Sequence, residues 1–128
     1  MANYSINKKV SLPFAEAVEK TREALKEQGF GILTEIDVKK TLQEKLGVDY
    51  KNYIILGACN PPRAYKALTL EEEIGLLLPC NVIVYESDDG VVVAAVDPEV
   101  AFTVSDNDSL RPLAAEVKQM LTQALNNL

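Results

Sequence analysis

The only two cysteines of this chain occur in two similar short segments. The first segment is ACNPP (58–62) and the second is PCN (79–81), so each places a Cys-Asn pair beside proline at one end of an apolar run. If these runs are strands, both thiols and both amides lie near strand ends, where a sheet can present polar groups to a ligand. We call the pairs the Cys-Asn doublets, and their repetition predicts a shared pocket without naming its chemistry.

The two thiols have two interpretations. As functional groups, Cys59 and Cys80 could form a redox pair or bind a soft metal ion, with the thiolate as the active form. As structural groups, they are small buried apolar side chains, and we favour this interpretation because free cysteine is among the most buried residue types. Two thiols in a chain without histidine make an incomplete zinc site. We therefore predict no metal site, and the residues name no cofactor.

Four further side chains are candidates for contacts with a ligand. Asn60 is expected to cap a helix that begins at Pro61, whereas Asn81 has no evident capping role. Glu35 lies in an otherwise apolar run and could act as an acid, a base or a ligand if its pKa were raised, but we favour a solvated carboxylate. Arg63 could bind an anion with two parallel hydrogen bonds, although a surface position is the simpler expectation.

The composition excludes several classes of function. The net charge of −6 and the sequence pI of about 4.7 disfavour nucleic acids and anionic membranes as partners. The absence of histidine excludes serine-histidine and cysteine-histidine machinery within one chain. The first residues lack the apolar stretch of a secretory signal, and no later run is long enough to span a bilayer, so we expect a cytoplasmic protein with free thiols.

Alternating and apolar runs predict five strands. They cover residues 4–10, 30–36, 53–59, 80–85 and 91–96. The run 53–59 is almost entirely apolar, which is typical of a central strand that is covered on both faces or contacts a partner. The last two strands are separated by SDDG (87–90), and an Asp-Gly step between apolar runs is a strong hairpin signal.

Helices are predicted between most of these strands. The first begins near Pro13 and stops at Gly29, and a second, capped by Asp37, stops at Gly47. TLEE (69–72) matches a capping box and predicts a short helix that ends near Gly75. A final helix begins within residues 107–109 and has the clearest apolar stripe of the chain. The pattern predicts one α+β domain over residues 1–128, with two layers and a mainly antiparallel sheet of about five strands packed against helices.

Four segments resemble an uncharacterised bacterial and archaeal family, domain of unknown function 302. They are GFGILTEID (29–37), LGACNPP (56–62), EIGLLLPCNV (73–82) and VDP (96–98), which together span roughly the middle two-thirds of the chain. The resemblance implies a compact α+β domain that associates with itself. It implies no established activity, so the function has to be argued from the residues.

Three functions remain open, and the first leads narrowly. It is a small ligand-binding or sensing module that acts as a homodimer, with its pocket at the Cys-Asn doublets. The second is a thiol-dependent enzyme or redox protein, which the missing histidine and the lack of a Cys-x-x-Cys spacing count against. The third is an assembly domain in which the doublets only specify turns. The leucines at 76–78 cannot all face inward from one regular element, so one of them is a candidate for a partner contact.

Overall fold

Five antiparallel strands form one sheet in the order β1-β5-β4-β3-β2. The protein is seen in a computed structural model that describes residues 2–128. The strands are β1 (Ser5–Val10), β2 (Gly31–Asp37), β3 (Tyr53–Cys59), β4 (Cys80–Ser87) and β5 (Gly90–Val96). The predicted α+β class with a mainly antiparallel sheet of about five strands is confirmed.

The two longest helices pack on one face of this sheet. The helices are α1 (Phe14–Glu27), α2 (Val38–Leu46), α3 (Pro61–Leu70), α4 (Pro98–Ala101) and α5 (Arg111–Asn126), and a 3-10 segment covers Glu72–Leu77. The two longest, α1 and α5, contact each other, and both contact β5, while α3 contacts α5 and the 3-10 segment. We call the side of the sheet beneath α1 and α5 the covered face.

Strand alternation decides which residues form the core. On the covered face, Leu56 of β3 lies opposite Val82 of β4, and Val82 lies opposite Ala95 of β5. All three are buried, as are Leu25 of α1 and Leu121 of α5, which pack with them in one apolar cluster. Side chains on the same face of a strand recur at every second residue. The pairing register of the strands therefore determines which strand residues enter the core.

The alternate residues of the central strands point to the opposite side of the sheet, which we call the open face. The residues that define it, paired across the strands and all outside the main core cluster, are Tyr53, Ile55, Gly57, Asn81, Ile83, Tyr85, Val92 and Ala94. The rings of Tyr53 and Tyr85 stack with centroids 5.4 Å apart. This face is therefore mostly apolar, although it lies outside the main core.

Most of the predicted helix caps are present. The Asp37 side chain accepts a hydrogen bond from the backbone N–H of Lys40 at 3.0 Å, and Gly47 ends α2 with a φ of 65°. The prediction of a capping box at residues 69–72 is wrong. Thr69 lies in the last turn of α3, where its hydroxyl donates to the Tyr65 carbonyl at 2.8 Å. A threonine inside a helix can bond back in this way, and its hydroxyl is then engaged within α3.

Candidate functional site

A cavity of about 300 Å³ lies where β3 and β4 meet helices α3 and α5. The Cys-Asn end of the sheet forms one wall, and Leu113 and Val117 of α5 form part of another. The remaining lining is almost wholly apolar: Phe30, Leu33, Ala58, Ala64, Ala67, Leu68, Gly75, Leu78, Pro79 and Phe102. Concave, mainly apolar spaces with a few polar groups are typical of small-molecule sites.

Small side chains leave this space open. At the end of the covered face, Ala58 lies opposite Cys80, whereas the next inward pair on that face is Leu56 and Val82. Across the cavity, α3 presents Ala67, which is 2% exposed. Protein interiors are normally packed as densely as organic crystals, so a gap of this size has to be encoded by residue volume. The sequence encodes it with alanine and cysteine.

Both thiols line the cavity. Cys80 is buried and Cys59 is partly exposed, and neither forms a disulfide. Burial and, to a smaller extent, the nearby Cys59 thiol raise the pKa of the Cys80 thiol from its ordinary value of 9.0 to about 11. Cys80 is therefore protonated near neutral pH. Since the thiolate is the nucleophile, this thiol is inert as a catalytic group under ordinary conditions.

Asn60 and Arg63 also line the cavity, and internal partners hold both side chains. The Asn60 side-chain oxygen accepts from the backbone N–H of Arg63 at 3.3 Å, which caps α3 as predicted, and its amide nitrogen donates to the Gln28 carbonyl at 3.5 Å. The Arg63 guanidinium forms an ion pair with Glu116 of α5, with the Nε donating at 2.8 Å. The charge at this wall is therefore balanced.

Asn81 and Glu35 lie away from the cavity. Asn81 is exposed on the open face, because consecutive strand residues point to opposite sides and Cys80 points inward. Glu35 lies on β2 and forms an ion pair with Arg22 of α1. The structure thus brings together Cys59, Asn60, Cys80 and Arg63, whereas Asn81 and Glu35 do not join them.

The apolar lining and two further residues at the cavity were not predicted from the sequence. Leu33 is 68% exposed and lines the cavity, and it falls at the register shift between Ile32 and Thr34. A β-bulge of this kind changes the direction in which a side chain points. The regular alternation of apolar and polar residues in the sequence gives no indication of it. Glu116 lies on α5 between Leu113 and Val117 and pairs with the lining residue Arg63. It is a partly exposed charged residue, and no pattern in the sequence indicates this pairing.

A second groove, of about 470 Å³, lies on the open face. Its lining includes Leu76, Leu77, Asn81, Ile83 and Ala94. Leu76 is 83% exposed, which matches the expectation that one leucine of 76–78 would not face inward.

The segment before β4 separates the two spaces, because Leu78 and Pro79 line both of them. It also crosses β3 closely at Gly57. A Cβ atom at Gly57 would lie 2.1 Å from Thr34 Oγ1 and 2.8 Å from Pro79 Cγ. Glycine is required here by close approach of neighbouring side chains.

Within residues 2–128, no group of three or more histidine, cysteine, aspartate and glutamate side chains is placed to hold a metal ion. Over the same range, each helix is either too short or too polar to cross a membrane.

The fold and the cavity define a class: a two-layer α+β protein with a small apolar pocket at one end of its sheet. The sequence profile of the family described as Domain of unknown function DUF302 matches residues 6–128. The chain belongs to this family, which confirms the resemblance.

A solved structure agrees with this assignment. The chain is similar to an uncharacterized conserved protein DUF302 from Bacillus stearothermophilus, whose crystal structure superposes with a TM-score of 0.92. The two sequences are 30% identical, and the match covers 98% of each chain. A comparison with curated proteins finds no match. These comparisons establish the family and the fold, and they assign no specific function.

Proposed function

We propose that this protein is a small-molecule binding module whose ligand occupies the cavity at Cys59, Asn60, Arg63 and Cys80. The observation that carries the proposal is that four side chains selected for their chemistry line one space that is otherwise apolar. Its volume of about 300 Å³ falls at the small end of the range in which ligand pockets are found. A ligand there would lose most of its apolar surface to the protein, which is the main source of affinity for such molecules.

The protonated state of Cys80 favours binding over thiol chemistry. A catalytic or redox thiol needs an accessible thiolate near neutral pH, and the buried Cys80 has its pKa raised to about 11. As a lining group, by contrast, a protonated thiol is a small apolar surface with a weak donor. Two free thiols also suit a reducing compartment, and we place the module in the cytoplasm on that ground.

We further propose that the module acts as a homodimer through the open face. The eight residues that define this face include no carboxylate, although the chain carries 19 acidic residues and a net charge of −6. Two copies that approach through any acidic surface repel each other, whereas two open faces can meet without opposing negative charges. Sheets stacked face to face lie roughly 10 Å apart, which brings Ile83 and Tyr85 of each copy against the other.

The binding proposal is tested with indole, a small neutral molecule. The chain contains no tryptophan, so indole emission can be excited without protein background. We expect saturable binding with a blue-shifted emission, and we expect Ala67→Phe, which fills the cavity, to abolish it. Ala15→Phe on the exposed side of α1 is the matched control and should bind like the wild type.

Equal binding by the Ala67→Phe and Ala15→Phe proteins, or none by the wild type, would refute the proposal. If the Ala67→Phe protein fails to fold, Ala64→Leu serves instead, because Ala64 lines the same cavity and is only partly buried.

The dimer proposal is tested by sedimentation equilibrium. Ile83→Glu places a carboxylate at the centre of the open face, and we expect it to yield a monomer while the wild type is a dimer. Val104→Glu adds the same charge at a residue that is 76% exposed elsewhere, and it should leave the mass unchanged. A monomeric wild type would overturn the proposal, and so would a dimer that Ile83→Glu leaves intact.

A further inference from the structure

The charges and donors around the cavity narrow the chemical class of its ligand, an inference that rests on the proposed binding function. We propose that the cavity takes a neutral amphiphile. Its apolar body has about ten heavy atoms, and it carries a hydroxyl or carbonyl oxygen at the wall formed by Cys59, Asn60 and Arg63.

The ion pair between Arg63 and Glu116 indicates that the ligand is neutral. Arg63 is the only charged residue in the lining described for the cavity, and its guanidinium is already engaged by the Glu116 carboxylate. A carboxylate ligand would have to share the guanidinium with Glu116, which would face it as a like charge. A cationic ligand would meet the guanidinium. A neutral ligand leaves the ion pair intact. It also carries no charge that would have to lose its hydration on binding.

The hydrogen-bond donors at the cavity wall indicate which polar group the ligand carries. The Asn60 amide nitrogen carries two hydrogens, and the Gln28 carbonyl accepts one of them at the long distance of 3.5 Å. The Cys80 thiol, which also lines the cavity, adds a weak donor. The Asn60 oxygen, in contrast, is occupied by the backbone N–H of Arg63. A wall that offers donors selects a ligand with an acceptor oxygen.

The remaining lining residues indicate that the body of the ligand is apolar. Phe30, Ala58, Phe102 and Leu113 are all buried, and none of them carries a polar side-chain atom. A space of about 300 Å³ holds on the order of ten water-sized heavy atoms at about 30 Å³ each. Where the cavity meets solvent its edge is also apolar, because Leu68 is 41% exposed and the bulge directs Leu33 there. A body slightly longer than the cavity would still contact leucine.

The test compares octan-1-ol with octanoate by isothermal titration calorimetry. The two probes share the same chain length and differ in the charge of the head group. We expect the wild type to bind the alcohol at least tenfold more tightly than the carboxylate. In the Glu116→Gln variant Arg63 loses its counter-ion, so the preference should shift toward octanoate by a factor of ten or more. Combining Arg63→Met with Glu116→Gln removes both charges and should restore the preference for the alcohol.

The outcomes separate this inference from the binding proposal. If octanoate binds the wild type as tightly as octan-1-ol does, and Ala67→Phe abolishes both, the cavity binds ligands but the neutral class is wrong. If neither probe binds and indole does not bind either, the binding proposal itself fails. If Glu116→Gln leaves the preference unchanged, the ion pair does not set the class, and the inference is overturned.

Chain length supplies a second measurement. Each methylene buried in the cavity should tighten binding about fourfold, the factor that corresponds to about 0.8 kcal/mol per CH₂. Octan-1-ol should therefore bind roughly fifteen times more tightly than hexan-1-ol, and the gain should level off once the chain exceeds the cavity. Equal affinities for the two alcohols would show that the chain is not buried, which contradicts the inference.

Discussion

The covered face of the sheet is densely packed in its middle and hollow at one end. In the packed part, Leu56, Val82 and Val84 are fully buried beneath α1 and α5. In the hollow part, the same strands place Ala58 and Cys80 opposite each other, and a cavity opens above them. Alternation and register are the same in both parts. The difference lies in side-chain volume, so residue size alone separates the packed core from the proposed binding site along a single pair of strands.

Removing one large side chain from the packed part of this face and one from the cavity wall would show the difference most strongly. We expect Leu56→Ala to lower the free energy of unfolding by about 3–4 kcal/mol, because it creates a new void in close packing. Leu113→Ala, at the cavity wall, should cost at least about 1 kcal/mol less, since Leu113 already lacks neighbours on one side. Urea denaturation measures both. Equal costs would mean that the cavity end is packed as tightly as the middle.

The crossing at Gly57 tests how rigidly the segment before β4 is held. Gly57→Ala would bring a methyl group against Thr34 and Pro79, and we expect a loss of about 2–3 kcal/mol in stability. Gly31→Ala is the control within the same sheet. A Cβ atom there meets only the Cys59 carbonyl oxygen at 4.0 Å, so its unfolding midpoint should change little. A Gly57→Ala protein as stable as the Gly31→Ala protein would contradict the close approach.

The buried Cys80 thiol predicts a loss of stability in alkali. Its pKa is raised from 9.0 to about 11, mainly by burial, so below pH about 9 the thiol is protonated in both folded and unfolded chains. Between pH about 9 and 11 the unfolded chain ionises first, which favours unfolding by up to about 3 kcal/mol in all. The Cys80→Ala variant should lack this component when unfolding is measured against pH. Parallel profiles for the two proteins would refute the assignment.

The smallest effect is expected at the ion pair that borders the cavity. Arg63 and Glu116 are both partly exposed, so solvent screens their attraction. We expect Glu116→Gln to change the free energy of unfolding by no more than about 1 kcal/mol, as measured by thermal denaturation. A much larger loss would show that the pair supports the fold, which contradicts this expectation.

Regular patterns in the sequence predicted most of the fold. The apolar run 53–59 coincides with β3, the Asp-Gly step marks the hairpin, and Asp37 and Asn60 cap the helices that follow them. These signals are local, since each depends on the chemistry of a few adjacent residues. Thr69 shows the limit of such signals, because its hydroxyl had a competing partner within the preceding helix.

The candidate site was only partly predictable. Proximity of Cys59 and Cys80 depends on the pairing of β3 with β4, which two apolar runs separated by proline suggest but do not specify. Asn81 lies outside the site because consecutive strand residues point to opposite sides of the sheet. Since Cys80 points inward, Asn81 points to the open face. The bulge at Leu33 and the partner of Arg63 arise from tertiary packing, so no short pattern reports them.

Methyl NMR of protein labelled at isoleucine, leucine and valine tests the central claim most directly. On titration with octan-1-ol, we expect saturable shifts at Leu113 and Val117 in the cavity, none at Ile55 and Val92 on the open face, and no shifts in the Ala67→Phe protein. Small residues at the end of β3 and β4 would then hold a ligand, as their volumes indicate. Shifts confined to the open face, or absent throughout, would show that the gap above Ala58 and Cys80 binds nothing and would contradict the account.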